Sequence, residues 1–309
     1  MIKFTNHCMV SAKGGRIGKS FMKKNRALGF AVIIVIYIIA AAIGVLLYRY
    51  LHNFHLFLRV LIADVGATVF VFITGVVLRN ASVYDPYWSV APPVILTGLA
   101  YPFTAVDPGL ILLLAAVWFW GVRLTVNWAR TFTNLGIQDW RYDMFRGRYP
   151  RIFQLVSFFG INLFPTIVVY LCMLPGIVFI ESGAFNIVTV LGFLVCVSAA
   201  TLQLVADMQM HRFRRGGNMR GSIIRTGLWK HARHPNYLGE IIMWWGVYVI
   251  MLSSSPQSWF LVFGPLVNTL MFLTVSIPMA DNRNRNLRPG FDEYAKETNS
   301  LLPLKFKGR

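Results

Sequence analysis

The sequence predicts an all-α, polytopic membrane protein of about eight transmembrane helices, with its site on the basic, cytosolic side of the C-terminal bundle. Three observations predict it. Of 309 residues, 56% are hydrophobic and 14% charged, too apolar for an ordinary soluble domain. Apolar runs of about 20 residues recur, the length a helix needs to cross a bilayer. Lys and Arg collect in particular loops, as the positive-inside rule expects, so the formal charge of +18 reads as topology and not as a nucleic-acid surface.

The predicted spans are 28–48, 58–78, 87–103, 109–128, 153–180, 186–206, 236–252 and 258–278. A basic segment without acids (Lys3, Lys13, Arg16, Lys19, Lys23, Lys24, Arg26) precedes the first. That first run is too long for a signal-peptide core and lacks a small-residue cleavage site, so it reads as an uncleaved span. Pro92, Pro93 and Pro102 interrupt the third, which is read as broken or re-entrant. The long loops 129–152 and 207–235 and the tail after Pro278 are basic, whereas the connections 104–108, 181–185 and 253–257 hold no Lys or Arg. Both termini are therefore expected in the cytosol, with Arg49 in the first outer connection a mild exception. The chain divides into a basic segment (1–27), N-terminal transmembrane helices (28–80) and a larger transmembrane domain (81–309). Cys8, Cys172 and Cys196 have neither disulfide nor zinc spacing, and no metal is expected.

Several polar groups stand out against the apolar runs. Asp85 lies among Tyr84, Tyr87 and Trp88 at a proline-started helix. It is either a binding or catalytic acid or a carboxylate favoured by the helix dipole beside an aromatic belt. Arg123, Asn127 and Arg130 recur at i, i+4 and i+7 and form one stripe that should face the bundle, as a ligand site or as polar glue between helices. Arg141 and Tyr142 either close over a cofactor or anchor their loop at the headgroups. Gln203, Asp207 and Arg214 share a face, and Asp207 is one turn from His211, a natural local pair. Most informative is the stretch from Arg225 to Trp245, a basic loop that ends in Pro235 and opens an apolar helix. Asn236, Glu240 and Trp244 recur there every four residues on one face, below a cluster of cations.

Gly227-Leu228-Trp229, Arg233-His234-Pro235-Asn236-Tyr237, Gly239-Glu240 and Trp244-Trp245-Gly246 resemble the C-terminal signature of the steroid 5-alpha reductase family, in its bacterial-type branch. Four further elements follow that branch in order. They are Asp85-Pro86-Tyr87-Trp88, Trp120-Gly121-Val122-Arg123-Leu124, Asp139-Trp140-Arg141-Tyr142, and Asp207-Met208-Gln209 with Phe213-Arg214. Arg288-Pro289-Gly290-Phe291, Glu293-Tyr294 and Pro303 complete the match. A shorter Arg-His-Pro-x-Tyr-x-Gly is shared with isoprenylcysteine carboxyl methyltransferases. Those proteins usually carry a Glu-Glu pair where Arg283-Asn284 stand here.

The resemblance implies an oxidoreductase that uses NADPH to reduce an activated carbon–carbon double bond in a lipid-soluble substrate. It implies phosphate contacts for Arg123, Arg214, Arg233 and Arg141, with Asp207 also at the dinucleotide. Asn127, Tyr142, His234 and Tyr237 belong to the same expected cofactor set, and Asn236 and Glu240 are expected at the nicotinamide amide. Asp85 and Tyr87 are the expected catalytic pair, and Tyr84, Trp88, Trp120 and Trp244 the expected substrate wall. Trp120 stands where the steroid reductases place a tyrosine, and Arg283 and Leu287 where they place His and Tyr. Two other functions fit the same residues: an S-adenosylmethionine-dependent lipid methyltransferase, or a lipid-binding or transport protein without chemistry.

Overall fold

The computed structural model describes residues 25–101, 107–183, 185–217 and 221–302. Most of the basic segment 1–27, most of the connection 104–108, and Cys8 and Pro303 lie outside the described residues. The long helices are α1 (Arg26–Tyr50), α2 (Leu56–Leu78), α3 (Tyr87–Ala100), α4 (Pro108–Thr131), α6 (Phe153–Ser182), α7 (Ile187–Arg215), α8 (Pro235–Leu252) and α9 (Pro256–Leu287). Two short ones, α5 (Trp140–Arg148) and α10 (Phe291–Glu297), lie in the basic regions. Among the described residues there is no strand, only a single β-bridge between Ala232 and Asn299.

Six of these helices, α1, α2, α4, α6, α7 and α9, are long and apolar enough to cross a membrane, which marks a multi-pass membrane protein. The predicted third span is α3, a helix of 14 residues that Pro92 and Pro93 do not break. At 1.5 Å per residue it is too short to cross a hydrocarbon core of ~30 Å unaided. The predicted seventh span is α8, whose first turns carry Asn236 and Glu240. Two helices run past their predicted ends, α7 to Arg215 and α9 to Leu287. Both continue into the basic region, where hydropathy no longer reports them.

Local chemistry fixes the ends. The Asp107 side chain accepts from the Gly109 N–H at 2.6 Å, with Pro108 at the first helical position of α4. Asn186 and Thr189 form a capping box on α7. A π-helical turn interrupts α6 at Ser157–Leu163 and α9 at Phe272–Ser276.

The main core joins α3, α4, α6, α7 and α8 around Leu96, Leu113, Trp120, Met173, Met243 and Trp244. Cys172 and Cys196 are buried in it as packing residues. A second core joins α1 and α2 to Tyr84, Tyr87, Phe132 and Leu135. α7 and α8 touch through small residues. A Cβ on Gly246 would lie 2.5 Å from Cys196 Sγ, and one on Gly192 would lie 2.8 Å from the Ile250 nitrogen. This contact holds the faces of α7 and α8 that carry the polar residues below.

Candidate functional site

The predicted stripe on α4 does face the bundle. Arg123 is 6% exposed and reaches across to α7 and α8. Its Nη1 donates to Asp207 Oδ2 at 3.0 Å, its Nη2 donates to Gln203 Oε1, and Glu240 Oε2 stands 3.9 Å away. Glu240 in turn accepts from Trp120 Nε1 at 2.8 Å, Gln203 Nε2 at 3.0 Å and Trp244 Nε1 at 3.1 Å. One cation is therefore shared between two acids, which is the form in which buried charge persists in an apolar medium. Asp207 is taken by Arg123 and does not pair with His211. His211 Nε2 instead bonds Asn127 Oδ1 at 2.8 Å, which ties α7 to α4 at the basic end.

Above this network lies a polar cavity of about 270 Å³, at the basic ends of α4, α7, α8 and α9. Of the predicted cofactor set, Asn127, Asp207, Arg214, Arg233, His234, Asn236 and Tyr237 line it. Arg283, on the polar end of α9, and Arg288, just beyond it, line it too. Among the described residues, Arg214, Arg283 and Arg288 have no carboxylate within ion-pair distance, and Arg283 lies 4.3 Å over the Trp140 ring. Arg288 lies past the last span. Burial and the neighbouring Arg214 and Arg283 lower its pKa from the ordinary value.

Arg233 and His234 hold the wall together. Arg233 donates to the carbonyls of Ala295 and Thr298, to Ser300 Oγ at 3.0 Å and to Asp281 Oδ2 at 3.2 Å. His234 Nε2 meets Asp281 Oδ1 at 2.8 Å, and its ring stacks on Tyr237. The loop, α9 and the tail are thus one cross-braced unit.

The family of proteins of unknown function DUF1295 matches residues 71–298, most of the chain and every residue of this cavity. The chain belongs to the DUF1295 family. An uncharacterized protein of Schizosaccharomyces pombe is 25% identical over 211 residues, covering 59% of this chain and 61% of that protein. The chain thus spans about three-fifths of that relative's length. No solved structure matches.

In this DUF1295 chain the other predicted residues fall elsewhere. Glu240, Trp120 and Trp244 lie in the core and line neither this cavity nor the lateral groove described below. Arg123 lines that groove and not the cavity. Tyr142 donates to Asp85 Oδ1 at 2.7 Å, and Arg141 stands 3.8 Å from the same oxygen. Burial raises the Asp85 carboxyl above the usual carboxylate range, opposed by Arg141 and then by the Tyr142 hydroxyl. These three residues, with Asp139 capping α5, pin the loop between α4 and α6 to the start of α3. Trp88 packs against Trp120, between the two cores.

Tyr87 does not meet Asp85. Its hydroxyl donates to Asp64 Oδ1 at 2.9 Å, and the Tyr84 hydroxyl meets Thr166 Oγ1 at 2.8 Å, which in turn meets Thr68 Oγ1 at 3.0 Å. Asp64 is 4% exposed in the middle of α2, ahead of the DUF1295 match. The expected site residues included none of Asp64, Arg283 and Arg288, although the last two stood in the motif comparison. A lone acid inside an apolar span is a signal in itself, and Asp64 is the one acid of its span. For Arg283 the signal was the Asn282-Arg283-Asn284-Arg285 run soon after the predicted last span, and for Arg288 the Arg288-Pro289-Gly290 element.

Proposed function

We propose that this chain is a membrane-embedded oxidoreductase that binds NADPH in the polar cavity and reduces an activated carbon–carbon double bond of a lipid-soluble substrate. The observation that carries the reading is the meeting of Arg214, Arg283 and Arg288 on one cavity, where among the described residues none of the three has a carboxylate within ion-pair distance. Three guanidiniums held together repel one another, and an anionic ligand with several phosphate oxygens offsets that repulsion. The same charge disfavours S-adenosylmethionine, which is a net cation and would meet like charge. A diphosphate fits this donor set. Arg214, Arg283 and Arg288 would hold it, and the Asn236 and Asn127 amides on the same wall offer the donors and acceptors that a carboxamide needs.

When bound, NADPH supplies the hydride. The chain binds the anionic half and orients the rest. Asp207, on the cavity wall, keeps Arg123 at the boundary between the polar cavity and the apolar core. Glu240, held by two tryptophans and Gln203, fixes Arg123 from below and acts as a positioning residue. The resemblance of the motifs to the steroid 5-alpha reductases supports the same reading.

In detergent, tryptophan quenching should respond to NADPH at lower concentration than to NADH, and S-adenosylmethionine should leave it unchanged. If one arginine reads the 2′-phosphate, the difference between the dinucleotides is about ten- to hundredfold, since a charge-assisted bond contributes roughly 1.5–3 kcal/mol. The double variant Arg283→Ala/Arg288→Ala should weaken NADPH by at least that factor. Tight binding of S-adenosylmethionine instead would establish the methyltransferase reading. Binding of neither would leave a lipid-binding protein.

The cavity is proposed to face the cytosol, on the side of the basic loops. Ser222→Cys in intact cells should stay unlabelled by a membrane-impermeant maleimide, while Ser254→Cys reacts. The reverse pattern overturns the orientation.

A further inference from the structure

Below the polar cavity and beside it, α4 and α7 leave an apolar groove of about 410 Å³. Trp118, Phe119, Val122 and Val126 of α4 line it, all well exposed on the outer surface of the bundle, where the lipid lies. Leu204 of α7 faces them. The groove and the cavity share two wall residues, Asn127 and Asp207, which therefore stand between them. Arg123 also lines the groove, and its Nε, buried, has no hydrogen-bond partner. An unmet N–H donor is costly in an apolar surrounding, and it suits an oxygen acceptor.

We propose that this groove is a binding site for a membrane amphiphile with one long apolar chain and a carbonyl oxygen. The molecule enters sideways from the bilayer between α4 and α7. Its chain lies along Val122, Val126 and Leu204, and its oxygen accepts from Arg123 Nε. Its head then reaches the edge of the polar cavity at Asn127 and Asp207. This rests on the reductase reading for what happens to the head. The groove itself rests on the helices that form it.

The test uses a long-chain enone with a diazirine at its chain end, added to the full-length protein in nanodiscs and photolysed. Peptide mapping should place the label on residues 118–126 and on Leu204, and excess unlabelled enone should remove it. The matching hydrocarbon without oxygen should compete about tenfold less well, because it leaves Arg123 Nε unmet. Val122→Trp should fill the trough and cut groove labelling about tenfold while NADPH binding stays as in the parent. Val77→Trp, on the exposed face of α2, serves as the control. If Val122→Trp fails gel filtration, Val126→Leu takes its place. Label spread evenly over the lipid-facing helices, unaffected by competitor, means ordinary boundary lipid and overturns the proposal. Equal competition by the hydrocarbon overturns the role of Arg123. Specific groove labelling in a protein that binds no NADPH supports the groove and sinks the reductase reading, so the two failures are distinct.

Discussion

Arg123→Met should be the most destabilising single substitution in the polar network. It removes the cation shared by Asp207 and Glu240, and among the described residues no other cation lies within ion-pair distance of either acid. Breaking a buried pair in this way costs about 3–5 kcal/mol, because a desolvated charge is left uncompensated. Against a typical total of about 5–15 kcal/mol, that is a large fraction of the whole. Thermal unfolding in detergent should show a much lower midpoint, with a poorly monodisperse gel-filtration profile. Adding Asp207→Asn and Glu240→Gln removes the stranded charges and should recover at least half of the loss. A single variant as stable as the parent would mean that water already reaches these acids and that the site is not sealed.

Gly239→Ala is expected to give the second large effect. A Cβ there would lie 2.6 Å from the Ala199 carbonyl oxygen and closer still to Gln203 Cγ. The first of these neighbours is backbone of α7 and cannot turn aside. The helices must part, at about 1–3 kcal/mol for overpacking, and Gln203 must leave its place between Arg123 and Glu240. Loss of stability and loss of cofactor affinity should therefore appear together. Gly98→Ala is the comparison, since a Cβ at Gly98 meets nothing within 4 Å and alanine favours a helix by up to ~1 kcal/mol. It should be neutral or stabilising.

The spans were legible because crossing a bilayer demands long apolar runs that few other structures need. The ends of α7 and α9 were not. Past Ala206 and past Pro278 the helices go on in polar sequence, and hydropathy falls silent where the site residues begin. That Arg123 turns inward was legible, since lipid offers a guanidinium nothing. What it meets was not. The spacing of Asp207 and His211 suggests a local pair, yet each found its partner across on α4.

Glu240 illustrates the same boundary. Its helix face followed from its period with Asn236 and Trp244. Period gives a direction, however, and does not say whether a cavity or another helix's tryptophan lies that way. Here Trp120 does, while Asn236, one turn earlier, meets the cavity. The meeting of Arg283 and Arg288 with Arg214 is tertiary. Arg283 rides on the polar end of α9 and Arg288 follows just beyond it, and this end is braced by Arg233 on Asp281 and Ser300.

The glycine contact between α7 and α8 has a mechanical consequence. Two helices whose backbones meet through Gly192, Gly239 and Gly246 have no side-chain cushion along which to slide, so they turn as one blade. Opening of the bundle is thereby harder at this seam than between α4 and α7, where large side chains border an open trough. Among the described residues, side-chain bonds cross that seam from two residues of α4, Arg123 to Asp207 and Gln203 and Asn127 to His211. A molecule that wedged this seam would pull on both of these α4 residues at once, and so on the wall of the arginine-lined chamber.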